Sequence, residues 1–115
     1  MRVRCTKNDA WVTVGTEYLV LGVYGRGTSF KYRRIGDDAQ TPALHNAELF
    51  ALVSSQIPKN WIFRVYPGAE WEITPAGWAP EGFWMAYFDG DATALRVFGE
   101  VVSALKKNAE DSLIL

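Results

Sequence analysis

The stretch Thr16-Glu17-Tyr18-Leu19-Val20-Leu21-Gly22-Val23-Tyr24-Gly25, TEYLVLGVYG, decides the fold. It is rich in Val, Leu and Tyr, and its apolar residues run without the polar interruptions of a half-exposed segment. A short run of this kind is the mark of a strand covered on both faces. Upstream, MRVRCT (1–6) alternates, with Val3 and Cys5 on one side and Arg2, Arg4 and Thr6 on the other, so a half-buried strand is expected there. Downstream, GRGTS (25–29) supplies a glycine-bearing hairpin loop. FKYRRI (30–35) sets Phe30 and Tyr32 against Lys31 and Arg33, and GDD (36–38) marks the next turn. TPALH (41–45) reads as a short extended piece at a sheet edge, because Pro42 has no amide hydrogen to donate. NAELF (46–50) reads as one helical turn and ALVSS (51–55) as a last strand.

Five short strands with tight turns and a helical turn before the last strand describe a small antiparallel barrel. The segments VTVGTEYLVLGV (12–23), FKYRRIGDD (30–38) and ALHNAELFALV (43–53) resemble the small bacterial barrels of the Src-homology-three type. Val12, Thr13, Val14, Gly15, Tyr18, Asp37, Asp38 and Phe50 stand at the places that carry the likeness, and Gly36 interrupts the usual Ile-Asp junction. The resemblance covers roughly residues 1–54 and implies a fold rather than a function.

The second half reads as an addition to that barrel. WIFRVYPGAEWEIT (61–74) predicts a hairpin about Pro67-Gly68, since proline presets the first turn angle and glycine accepts a positive second one. PAGWAP (75–80) predicts a loop. PEGFWMAYF (80–88) predicts a short helix with Pro80 in its first turn, ended by Gly90, with Asp91 capping the next. The next helix, from Ala92 to about Lys107, shows a stripe of Leu95, Phe98, Val102 and Leu105, flanked by Ala94, Val97 and Val101. The tail NAEDSLIL (108–115) is polar, then apolar. The expectation is therefore α+β: one domain over 1–115, a small barrel over 1–55, and a hairpin and two helices over 56–115 packed on it.

Size and composition fit a domain with its own core: 115 residues, 49% hydrophobic, with five Trp, five Tyr and six Phe. A net charge of −1 argues against nucleic-acid binding through bulk electrostatics. Charge is unevenly spread, however. Residues 1–36 hold Arg2, Arg4, Lys7, Arg26, Lys31, Arg33 and Arg34 against Asp9 and Glu17, whereas 65–95 hold Glu70, Glu72, Glu81, Asp89 and Asp91 and no Lys or Arg. The single cysteine, Cys5, sits in the first strand as a buried thiol and fits a reducing compartment. With no signal-peptide pattern and no apolar run near the ~18 residues of a membrane span, a cytoplasmic protein is expected.

No motif for chemistry appears. One His, His45, and one Cys cannot build a metal site, and Asp89-Gly90-Asp91 starts like a calcium loop without continuing as one. Ser54-Ser55 lack a glycine elbow, and Glu70 and Glu72 alternate on one strand as a solvated pair would. The expectation is a protein that is not an enzyme and takes no cofactor or metal. A binding role remains. Carboxylates are costly to bury without partners, so Glu70, Glu72, Glu81, Asp89 and Asp91 are expected at the surface, bordering Trp71, Trp78 and Trp84. An acidic rim around aromatic anchors suits a basic partner. The pattern IPKNW (57–61) followed by GFWMAYFDGDATALRVFGEVV (82–102) resembles small bacterial proteins of polymorphic toxin systems. That resemblance implies a cytosolic immunity protein of contact-dependent growth inhibition, blocking a cognate toxin domain, often a basic nuclease. The competing expectations are a barrel module that binds nucleic acid through Arg2, Arg4, Lys31, Arg33 and Arg34, and a small-molecule or housekeeping interaction domain.

Overall fold

The computed structural model describes residues 1–9, 11–35, 37 and 42–114, with side chains described as far as Lys107. It is α+β, with two antiparallel sheets and two helices. The strands are β1 (Arg2–Cys5), β2 (Glu17–Leu19), β3 (Gly22–Arg26), β4 (Ser29–Ile35), β5 (Pro42–Asn46), β6 (Phe50–Ser54), β7 (Trp61–Tyr66) and β8 (Glu70–Pro75). Short 3-10 turns at Ala47–Leu49 and Ala76–Trp78 precede β6 and follow β8, and the helices are α1 (Phe83–Phe88) and α2 (Ala92–Ile114).

The stretch 16–25 is not one flat strand. It bends at Val20-Leu21 and serves both sheets: β2 joins the three-stranded sheet β2-β1-β6, and β3 joins the five-stranded sheet β5-β4-β3-β8-β7. Backbone bonds at the bend show why. The amide of Val20 donates to Met1 at 3.0 Å in the first sheet, and that of Leu21 donates to Arg33 at 2.7 Å in the second. Both residues are fully buried between the sheets, which is why this run lacks the alternation of a strand with one wet face. Tyr18, Tyr32 and Phe50 meet edge-on there, with centroids 6.2 and 5.9 Å apart, over a core that includes Val3, Cys5 and Val23. Cys5 is buried, and its thiol donates to the Lys7 carbonyl at 3.0 Å.

The hairpin β7–β8 is not laid on the outside of the first half. Its β8 pairs antiparallel with β3, Tyr24 opposite Glu72 and Gly25 opposite Trp71, and so extends the larger sheet by two strands. Pro42 opens β5, an edge strand as its missing donor requires. Of the expected turn Gly36-Asp37-Asp38, Gly36 and Asp38 lie outside the described residues, as does Thr41 of the expected piece 41–45. Asp37 accepts hydrogen bonds from Tyr18 Oη at 2.6 Å and Thr13 Oγ1 at 2.8 Å.

Helix α1 begins later than Pro80. Gly82 has φ +80°, which a right-handed helix cannot contain, so Pro80–Gly82 form a turn before the first helical residue, Phe83. Gly90, at φ +83°, ends α1, and the Asp91 amide reaches back to the Ala86 carbonyl at 3.0 Å. Asp91 Oδ2 accepts the Ala94 amide at 2.9 Å and caps α2. α2 runs past Lys107 to Ile114. Its buried stripe is Ala94, Phe98, Val102 and Leu105, with Val97 and Val101 packed beside it. Leu95, expected in that stripe, faces solvent, because the contact is centred one residue earlier, against the 3-10 turn at Gly77. A Cβ on Gly77 would stand 3.1 Å from Val101 Cγ2.

Candidate protein-binding surface

Strand alternation divides the expected site residues between two faces of the larger sheet. On one face stand Tyr24, Lys31, Arg33, Arg64, Tyr66, Glu70 and Glu72; on the other stand Gly25, Phe30, Tyr32, Arg34, Phe63, Val65 and Trp71. Glu70 and Glu72 therefore share a face with each other and not with Trp71.

Glu72 is not an open carboxylate. Register places it opposite Arg64, whose Nε and Nη2 donate to Glu72 Oε1 at 3.1 and 2.7 Å, and Tyr66 Oη donates to the same oxygen at 2.5 Å. Arg64 Nη2 also donates to the Ala79 carbonyl. The Glu72 bond holds the Tyr66 phenol above its usual pKa. Tyr24, beside this pair, is raised chiefly by burial and then by the Glu70 charge. The cation that neutralises Glu72 sits just upstream of the cation-free stretch 65–95, and the hairpin register brings it across. The two-residue turn expected at Pro67-Gly68 would set Arg64 opposite Trp71; the loop spans 67–69 instead, with Ala69 at φ +63°, and that one-residue shift puts Arg64 opposite Glu72.

Trp78 was expected as a surface anchor and is instead core, 2% exposed. It stacks on Phe98 (centroids 5.2 Å, planes 15° apart) and Phe83 (6.4 Å, 19°), with Trp84 edge-on at 5.4 Å. The 3-10 turn, α1 and α2 converge on its ring, so its anchor role is lost to packing. Trp84 is half-buried: Arg33 lies over its ring, with Cζ 3.9 Å from the centroid. Burial under α1 lowers the Arg33 pKa to about 10, partly offset by Glu72.

The expected single patch of Glu70, Trp71, Glu72, Trp78, Glu81, Trp84, Asp89 and Asp91 therefore does not form. What it leaves at the surface lies around α1. Met85 and Phe88 are 74% and 61% exposed and share the outer face of the helix at i, i+3 spacing, with Asp89 beside them. Glu81, Asp89 and Asp91 are exposed, and none is ion-paired among the described residues. Phe88 packs edge-on against Tyr87 at 5.0 Å, which fixes its ring without covering it. Acidic residues and apolar anchors do meet here, but the anchors are Met85 and Phe88 where Trp71, Trp78 and Trp84 were expected.

The basic set proposed for nucleic acid is dispersed. Arg34 is fully buried, its Nη2 2.8 and 2.7 Å from the two ring nitrogens of His45 and its guanidinium over the Tyr18 ring. Arg33 is under α1, and Arg4 is bonded to Glu17 at 3.1 Å on the other sheet. Among the described residues no three His, Cys, Asp or Glu side chains come together as a metal site. No described helix is long and apolar enough to cross a membrane.

Two further exposed features lie away from α1. Trp11 is 62% exposed with φ +74°, held by the Asp37 amide on its carbonyl at 2.9 Å. The row Phe30–Trp71–Phe63 crosses the sheet with centroids 6.2 and 6.3 Å apart. Only pairing of β3 with β8 creates that row. Comparison of the chain with family models, with curated proteins and with solved structures finds no match.

Proposed function

We propose that the protein is a non-enzymatic binding protein of the immunity type, which neutralises a bacterial toxin domain by covering its active or substrate-binding surface. The observation that carries this reading is the outer face of α1: two large apolar side chains, Met85 and Phe88, left in solvent within a rim of Glu81, Asp89 and Asp91. Exposed aromatic and methionine side chains supply affinity at interfaces, and surrounding carboxylates steer a basic partner and reject acidic ones. A nuclease domain has a basic face of that kind. The compartment consistent with this role is the cytoplasm.

We also propose that the two sheets are the halves of a small barrel of the Src-homology-three type. Three observations support it: the strand shared through Val20-Leu21, the pairing of β1 with β6, and the 3-10 turn before β6. The β7–β8 hairpin then widens one half.

The test is co-expression with toxin domains encoded beside this gene. The wild-type chain should restore growth against one of them. Phe88→Asp and the pair Glu81→Lys with Asp89→Lys should abolish protection while leaving thermal unfolding unchanged. Full protection by both variants would remove α1 from the interface, and absence of protection against every neighbouring toxin domain would overturn the role.

A further inference from the structure

Strand β7 is an open edge. Among the described residues it pairs only with β8, on one side. Exposed edges are normally blunted by proline, lysine, a bulge or a covering element. β5 carries Pro42 and β2 is three residues long. The six residues of β7 carry no proline and no lysine and keep an unbroken register with β8, and their one charge, Arg64, is bonded to Glu72 at 2.7 Å.

The phase of the ladder says which groups face outward. The Ala76 amide donates to the Asn60 carbonyl at 3.0 Å, so position 60 points its backbone groups toward the β8 side. Antiparallel strands alternate in this respect. Residues 62, 64 and 66 therefore bond inward, and 61, 63 and 65 direct N–H and C=O to the open edge. The Trp61 amide is taken by the Pro58 carbonyl at 3.2 Å. Phe63 and Val65 are thus the residues that offer both a donor and an acceptor to the open edge. Their side chains are also the most exposed on the strand, at 62% and 67%.

We propose that β7 is a self-association edge, pairing antiparallel with β7 of a second copy about a two-fold axis at Arg64. In that register Phe63 of each copy lies opposite Val65 of the other, and the two pairs join the amides and carbonyls of these residues in four hydrogen bonds. The side chains then meet on one face, where Phe63 and Val65 of both copies join the two rows Phe30–Trp71–Phe63 into one apolar strip. Charge permits it. That end of the face bears no charged side chain, and the arginines that meet across the axis on the opposite face are each bonded to their own Glu72 at 2.7 Å. The match of an apolar, two-residue edge to its own reverse favours a second copy over a charged partner strand. Trp71 is held ready for this contact: its Nε1 donates to the Gly27 carbonyl at 3.0 Å, and its ring occupies the space left by Gly25.

Sedimentation velocity across a concentration series tests the pairing. The wild-type chain should pass from monomer to dimer. Phe63→Lys and Val65→Lys, which set like charges near one another across the new pair, should raise the dissociation constant about tenfold or more. Phe88→Asp should leave it unchanged, which separates this edge from the α1 surface. In the wild-type chain, exchange of the Phe63 and Val65 amides should slow as concentration rises. A wild-type chain that stays monomeric at the highest concentration of an NMR sample would overturn the proposal. So would dimers that survive both lysine variants, or exchange at Phe63 and Val65 that ignores concentration.

Discussion

Two groups of aromatic side chains in this molecule have similar composition and opposite fates. Around Trp78, rings from the 3-10 turn, α1 and α2 stack face to face and edge to face in the interior. In the row Phe30–Trp71–Phe63, rings lie across a sheet with one side open to water. The indole nitrogens record the difference. Trp71 Nε1 has the Gly27 carbonyl, whereas buried Trp78 Nε1 has no acceptor among the described residues, and Trp78 is placed chiefly by ring packing. The lesson is that an aromatic ring goes where neighbouring elements leave a cavity of its shape: converging helices make one for Trp78, and a missing side chain at Gly25 makes one for Trp71.

The comparison can be broken first at the interior group. Trp78→Ala should destabilise the fold by ~3–5 kcal/mol, the range for an aromatic removed from a packed core. Trp78→Phe should cost clearly less, since a ring remains to stack on Phe83 and Phe98. Urea unfolding measures both, and near-equal losses would mean that ring packing is not what holds the helices. At the sheet, Gly25→Ala is the sharper probe. Its Cβ would lie 2.1 Å from Trp71 Cε2, so the indole must leave its seat, at a cost of about 1–3 kcal/mol. In a double-mutant cycle, Gly25→Ala should be nearly harmless once Trp71→Ala is present. Additive losses would place the strain elsewhere.

Smaller effects probe the polar groups at the margins of the two regions. Asp91→Ala removes the acceptor of the Ala94 amide and should cost ~1 kcal/mol, with Asp91→Asn retaining most of it. Equal unfolding midpoints for all three chains would show that α2 does not depend on its cap. The least effect is a titration. Tyr66 should ionise above the ordinary phenol value while Glu72 accepts its hydrogen bond, and should fall back in Glu72→Gln. Because the folded pKa is the raised one, its contribution to stability is complete below about pH 10 and declines as pH climbs through the folded value. Ultraviolet absorbance of tyrosinate, compared between wild type and Glu72→Gln, reads the shift directly.

Much of the local structure was legible along the chain. The alternation in 1–6, the proline–glycine turn at 67–68, the stop at Gly90 and the cap at Asp91 each rest on a few neighbouring residues, and each appears where expected. Less was legible of the site. Glu81, Asp89 and Asp91 remain at the surface, yet Trp78 is interior and Glu72 is bound to Arg64, because both depend on residues brought from other elements. Trp11 gave no signal, and Trp71, expected beside the acids, lies instead in a row with Phe30 and Phe63. Exposure of an aromatic is decided by what fails to cover it, which no single segment encodes.

What the sequence determined by itself is the set of segments: which runs extend, where they turn, and which face of each is apolar. Backbone geometry and side-chain period act over a few residues, so they are written locally. Only the tertiary structure decided that 16–25 bends to serve two sheets, that β8 joins β3, and that α1 turns Met85 and Phe88 outward while Phe83, Trp84 and Tyr87 pack inward. Those outcomes depend on hydrogen-bond partners and packing surfaces supplied by distant residues, and on competition among them for the same buried space.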